Sequence, residues 1–287
     1  MKRINNLVIL VLFLILAGSL VRNFSAEEKI GFRVEFFDVG QGDATYIRGD
    51  DNFEVLIDGG PDDTVLEKLA QTMSVGDKTL DAVVLTHPHS DHLAGLVKVL
   101  QKYEVKTIYF TDAVHTSDLY FDWLDAVKSE NARVVTPRTG DNYIWGSSLQ
   151  FKVFFPDESF DGKTVSELNN TSVVGQLIYQ NKKILFTGDA EKEVQDKILA
   201  QKSDIKSDIY KIPHHGSQNG IDEAFIKAVN PQYAVIFAGK NNKFGHPSKI
   251  ALDSLKKFNI LTLSTKTNRN ITFYSDGENW RYTVSTP

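Results

Sequence analysis

The 287-residue chain contains no cysteine. That excludes a disulfide framework, a thiolate-held metal and a lipid attached through cysteine. Any bound metal must then be held by imidazole and carboxylate, a donor set suited to zinc, manganese or iron. Basic charge is also short, with 32 Lys and Arg against 37 Asp and Glu and a net charge of −5, so the chain lacks the global basic footprint of a strong nucleic-acid binder. Two bound divalent ions would offset most of that negative charge locally, which keeps an anionic substrate compatible. Long apolar runs are confined to Leu7–Val21, preceded by Lys2 and Arg3 and followed by Arg22. A run of about 15 residues is short for a spanning helix and suits a signal-peptide core, with an uncleaved membrane anchor as the alternative. Both place the remainder of the chain outside, secreted or at the outer face of the membrane. Residues 1–29 are thus read as leader or anchor, and membrane contact is expected only through them. Residues 30–287 are read as one domain, and no obligate protein partner is inferred.

What is present is an ordinary globular composition, with 41% hydrophobic residues, enough to bury a full core. Early segments read as hairpin strands at Phe32–Asp38, Ala44–Arg48 and Phe53–Asp58. Later ones alternate with helices, as at Asp91–Lys102, where Leu93, Leu96, Val97 and Leu100 form one apolar stripe. The polar stretch Asp157–Asn170 reads as a loop. There is no repeat and no Pro- or Gly-rich linker, so the pattern predicts mixed sheets with helices packed outside.

Chemistry concentrates where strands end. Thr86-His87-Pro88-His89-Ser90-Asp91-His92 follows a buried strand and opens an amphipathic helix. His87 and His89 can converge because alternate residues of an extended segment point the same way, while Asp91 and His92 enter the helix and can serve a second ion. Asp189 ends the strand Ile184–Thr187, and it is the best-placed carboxylate to bridge two cations about 3.5–4 Å apart. Ile212-Pro213-His214-His215-Gly216-Ser217 repeats the grammar of a strand tipped with imidazoles. Adjacent residues on an extended backbone point to opposite sides, so one histidine is expected to bind metal and the other to face substrate. His246-Pro247-Ser248 opens a further helix, with Pro at its first position and backbone donors available to an anion. His115 carries no motif and reads as a loop residue.

Together these residues resemble the metallo-β-lactamase superfamily, through the H-x-H-x-D-H core and the later Asp and His. The resemblance is nearer to its ComEC/Rec2-type competence branch, carried by Phe37–Asp43, Leu56–Gly60, Asn170-Thr171-Ser172, Phe186–Asp189, Pro213–Ser217 and Gly245-His246-Pro247 in order. It covers about residues 32–265, and not the channel-forming membrane portion of full competence proteins. It implies a four-layer αββα sandwich with two divalent metals, zinc or manganese, at one edge of its sheets. Many members place a histidine before the bridging aspartate; here that block reads Asn169-Asn170-Thr171-Ser172. The resemblance therefore implies a ligand-poor ion at His87, His89 and Asp189, with water or substrate completing it. The second ion would take Asp91, His92, Asp189 and His215. Similarity to phosphorylcholine esterase domains of cell-wall enzymes assigns His214 to phosphate and His215 to metal.

The expected activity is phosphodiester hydrolysis on DNA or on a diester of the cell envelope, with Asp189, Asp91 and His214 in the chemistry. His214, Ser217 and His246 would bind the phosphate or leaving oxygen, and Asp43 and Asp58 would orient ligand histidines. Hydrolysis of a lactam, lactone or thioester, or a non-catalytic surface-binding role, are the competing expectations.

Overall fold

A computed structural model describes residues 31–163 and 165–285, so the leader or anchor expected at 1–29 lies outside the described residues. Fifteen strands, numbered in chain order, divide between two sheets. The first runs β15 (Trp280–Val284), β14 (Ile271–Ser275), β1 (Phe32–Phe36), β2 (Thr45–Arg48), β3 (Glu54–Ile57), β4 (Thr79–Val84), β5 (Glu104–Tyr109) and β6 (Arg133–Val135). The second runs β13 (Leu261–Ser264), β12 (Tyr233–Ile236), β11 (Ile209–Lys211), β10 (Lys182–Phe186), β9 (Val174–Tyr179), β8 (Leu149–Phe155) and β7 (Asn142–Trp145).

Strand alternation sorts side chains into three apolar layers. Val55 and Ile57 on β3 face the second sheet, where they join Phe36, Phe151, Ile184, Ile209 and Phe273. Leu56, between them, turns outward to the helices α1 (Thr64–Thr72), α2 (Ser90–Leu100) and α3 (Asp118–Glu130), which present Leu69, Leu93, Leu96 and Trp123. The second sheet is covered in the same way. Leu185, Tyr210 and Ala234 pack under α4 (Lys192–Ala200), α5 (Glu223–Val229) and α6 (Lys249–Lys257). Each large apolar side chain so buried contributes roughly 1.5–3 kcal/mol relative to exposure. The result is the expected αββα sandwich.

Both sheets change from antiparallel to parallel partway across. Strands β3 to β6 and β10 to β13 run parallel. The ends of such parallel runs are where loops converge on a ligand, and β4, β10 and β11 deliver the His87, Asp189 and His214 loops there. One close approach fixes this edge. Gly59 packs directly on the backbone of Gly95 and Leu96 in α2, where a Cβ on either glycine would overlap the other segment. Gly59 N–H donates to His92 O at 2.8 Å and Gly95 N–H to Gly60 O at 3.0 Å. The start of α2 is thereby held against the loop that carries Asp58.

Three local expectations change. Strand β7 escapes the sequence pattern because Ile144 on this short edge strand is apolar though exposed, so Tyr143-Ile144-Trp145 reads as a continuous apolar run. The stretch Asp157–Asn170 is largely irregular but ends in a 3₁₀ turn, Leu168–Thr171. Pro247 does not occupy the first position of α6. Ser248 caps that helix, its Oγ accepting the Ala251 N–H, so proline stands one residue before the cap. Among the described residues no helix is long and apolar enough to cross a membrane.

Candidate metal centre

The first sheet supplies four histidine and aspartate side chains from the turn between β4 and α2. His89 occupies the helix N-cap with extended backbone and makes no side-chain cap bond, so its ring is free for another partner. His87 Nε2 and His89 Nδ1 lie 3.0 Å apart, the convergence that alternation predicts. Asp58 organises the neighbours. Its carboxylate accepts the Thr86 N–H at 2.8 Å and the Thr86 hydroxyl at 2.8 Å. Because that hydroxyl proton is spent on Asp58, Thr86 Oγ1 can only accept from His87 Nδ1, 3.1 Å away. Asp58 also takes the His92 Nδ1 proton at 2.8 Å. In the neutral form of each ring Nε2 is therefore the atom left without a proton, the arrangement by which an outer carboxylate fixes the tautomer of a metal-binding histidine.

The second sheet contributes from two strand tips. Asp189 follows β10, and its N–H donates to Ser172 Oγ at 3.0 Å. Its two oxygens have separate fates. Oδ1 accepts the His214 N–H at 3.1 Å and lies 3.3 Å from Lys211 Nζ. Oδ2 lies 3.3 Å from His92 Nε2 and 3.5 Å from His215 Nε2. His215 Nε2 is also 2.9 Å from Asp91 Oδ2, so Asp91, His92, Asp189 and His215 share one cavity edge. Asp43 approaches from behind, with Oδ1 3.3 Å from His215 Nδ1.

His214 and His215 do not separate as neighbours on an extended strand. Both adopt left-handed backbone, φ 48° and 53°, within the turn Pro213–Gly216. Such conformations cost roughly 1–2 kcal/mol per non-glycine residue and cluster at functional sites. The turn buries His215 (2% exposed) and leaves His214 half-buried at the rim.

Lys211 is the residue that sequence reasoning missed. It is as buried as the core (2% exposed), yet it ends a strand whose neighbours are apolar, a signal visible in Ile209–Ile212. Its three N–H groups meet three acceptors: Gly188 O at 2.6 Å, Asp189 Oδ1, and Asp43 Oδ2 in direct contact. Burial alone would lower its pKa, but Asp43 and Asp189 outweigh that and hold it above the usual lysine range. The cage thus contains its own fixed cation.

Protonation differs across the site. Burial, reinforced by the charge of His92, pushes His87 well down, and burial likewise lowers His89. His92 and His215 are also buried, but Asp189 raises both, helped by Asp58 and Asp43 at His92 and by Asp43 and Asp91 at His215, which rises to about 9. Asp189 itself is held far below the usual range; burial opposes this, and His92, His215 and Lys211 prevail. These residues fit a divalent metal. Donor atoms of Asp43, His92, Asp189 and His215 lie within 4.8 Å of one another, and buried His92 Nε2 makes no well-formed hydrogen bond, only the 3.3 Å ion pair with Asp189. Of the four, Asp43 is committed to Lys211 and to the back of the His215 ring, the orienting position.

At the rim, His214 Nδ1 lies 3.0 Å from Glu191 Oε1, a partner that sequence reasoning did not single out. His246 stands edge-on to His214 with ring centres 5.8 Å apart, and Phe244 stacks on its other side at 5.7 Å. Burial, then His215 and His214, lower the His246 pKa to about 4. Ser217 is buried, and its hydroxyl accepts the Gly220 N–H, so it holds the turn rather than facing substrate. His115 bonds Ser117 in the loop before α3.

The Metallo-beta-lactamase superfamily matches residues 37–240. The chain belongs to that superfamily. Over 262 residues it is 29% identical to ComE operon protein 3 of Bacillus subtilis (strain 168), covering 84% of this chain and 32% of that protein. It is 23% identical to Competence protein ComA of Neisseria gonorrhoeae over 259 residues, covering 88% and 33%. The chain thus spans about a third of the length of these relatives. Among solved structures, the metallo-beta-lactamase fold protein YhfI from Bacillus subtilis superposes with a TM-score of 0.54 at 16% identity, covering 81% of this chain and 96% of that one. That likeness concerns the fold. The superfamily consists generally of metal-dependent hydrolases, and this chain carries a donor set able to hold a divalent metal.

Proposed function

We propose that this chain is an exported, binuclear metal-dependent phosphodiesterase acting on DNA or on a phosphodiester of the cell envelope. One observation carries the reading: a carboxylate-clamped histidine, His214 with Glu191, stands beside a cage whose Asp189 Oδ2 lies between His92 and His215. His87 and His89 with Asp189 would hold one ion, and Asp91, His92 and His215 with Asp189 the other. Bound divalent ions supply water activation near neutral pH and neutralise charge on phosphate oxygens.

The chain's own groups complete the chemistry. Glu191 accepts a hydrogen bond from His214 Nδ1 and orients the ring, and Nε2 donates to a departing oxygen when the ring is the doubly protonated imidazolium. His246 and His214 form one wall for the phosphate group. Phe244, 69% exposed, offers a face on which an unpaired base can stack, and exposed Lys240 and Lys243 lie close to it in the chain. These features favour a polynucleotide over a small ester. Export rests on the charge pattern around Leu7–Val21.

The test is direct. Purified protein loaded with Mn²⁺ or Zn²⁺ is offered an activated phosphodiester, a lactam and a lactone. Hydrolysis confined to the diester and abolished by Asp189→Ala supports the proposal. Preference for the lactam or lactone, or metal binding without turnover, overturns it.

A further inference from the structure

Besides His92 Nε2, another buried atom near the cage lacks a hydrogen-bond partner, and its side chain lies against the His89 ring. Asn169 is 6% exposed, and its amide is locked by neighbours at the rim of the metal cage. Asn169 Nδ2 donates to Glu191 Oε1 at 3.2 Å and lies 3.3 Å from His214 Nδ1. A carboxylate only accepts, so the nitrogen must face Glu191 and the amide cannot be flipped. Oδ1 is then left buried with no hydrogen-bond partner, and the amide lies against the His89 ring. A buried carbonyl oxygen without a partner is unfavourable and rare in a native interior.

The backbone around Asn169 is tied to the same aspartate. The Asp189 N–H donates to Ser172 Oγ, which in turn donates to Asn169 O at 2.7 Å. Glu191 N–H donates to Asn170 Oδ1 at 3.0 Å. The 3₁₀ turn Leu168–Thr171 is therefore fastened to the Asp189–Glu191 turn at both its backbone and its side chains, and the unpartnered oxygen is held in place rather than swinging in solvent.

We propose that Asn169 Oδ1 is a neutral oxygen ligand for the ion held by His87, His89 and Asp189, and that it sets the metal preference of that ion. The inference rests on the metal-centre reading above. An amide oxygen is a harder donor than imidazole, so it biases its ion towards manganese over zinc. It also leaves the ligand set with one negative charge, on Asp189.

The experiment measures metal alone, by calorimetric titration and bound-metal analysis of the full protein with Mn²⁺ and with Zn²⁺. Wild type binds two ions. Asn169→Ala retains one at unchanged affinity and weakens the other by at least about tenfold. His89→Ala loses that same ion, and the double variant loses no second one. Asn169→Asp restores the weakened ion, and Asn169→His shifts it towards zinc. Two ions bound by Asn169→Ala with wild-type affinities would overturn the proposal, as would equal weakening of both ions, which marks a structural role. If wild type binds no divalent metal, the metal-centre reading itself falls, an outcome distinct from either.

Discussion

The two sheets supply unlike halves of the cage. From the first come His87 and His89, whose rings meet at 3.0 Å and are kept neutral by burial. From the second come Asp189 and His215, charged groups packed against Asp43 and balanced by buried Lys211. His92 belongs to the first sheet by chain and to the second by electrostatics, since Asp189, Asp58 and Asp43 raise its pKa. A neutral pair needs no compensation before an ion arrives. A cluster of buried carboxylates does, because an uncompensated buried charge is strongly destabilising. The fold meets that requirement with buried Lys211 on the second half, while on the first half Asp58 and Thr86 only orient the rings.

Asp189→Ala removes the group both halves share. Diester hydrolysis is expected to fall by at least about a thousandfold, with both ions lost in bound-metal analysis; retention of two ions would break the comparison. His214→Ala leaves both halves intact, so metal stoichiometry should hold while turnover drops by about 10²–10⁴, the usual contribution of a positioned acid.

Lys211→Met tests the charged half alone. Breaking a buried pair costs about 3–5 kcal/mol, or roughly 10 °C of thermal midpoint for a domain of this size. That loss should appear in the metal-free protein and shrink on adding Mn²⁺, whereas a loss equal in both states would reduce Lys211 to packing. In the metal-stripped protein, His215 holds its proton more tightly when folded, with a pKa of about 9 against 6.5. Its contribution is complete below about pH 6.5 and disappears as pH rises through about 9, so the midpoint should decline across that window. His215→Gln should flatten part of the decline, while His89→Gln, at a neutral position, should not. The smallest effect is expected from Phe244→Ala, a few-fold rise in KM on an oligonucleotide with an activated small diester unaffected, given the ~1–3 kcal/mol of base stacking.

The same division governs what could be read from the chain. His87, His89, Asp91 and His92 are contiguous, and a strand-to-helix turn suffices to bring them together, so their grouping was legible. So were the layered fold and the positions of Asp43 and Asp58 behind the rings. Lys211, Glu191 and the amide of Asn169 take their roles from partners on other strand tips, and spacing along the chain carries no information about such meetings. The left-handed turn at His214 and His215 was likewise hidden, because nothing in Pro-His-His-Gly distinguishes a strained turn from an extended tip. Edge strand β7 alternates in the fold, with Asn142 and Ile144 outward and Tyr143 and Trp145 inward, but the exposed apolar Ile144 hides that alternation in the sequence.

The pairing of His215 with Asp91 spans 124 residues, while Asp58 and Thr86 are only 28 apart. Contacts of such long range form late, because loop closure must be overcome before they contribute. A growing chain that has emerged only as far as α2 displays His87, His89, Asp91 and His92, with neither Asp189 nor His215 to close around an ion. An ion held jointly by Asp91 and His215 would therefore require both sheets to have docked.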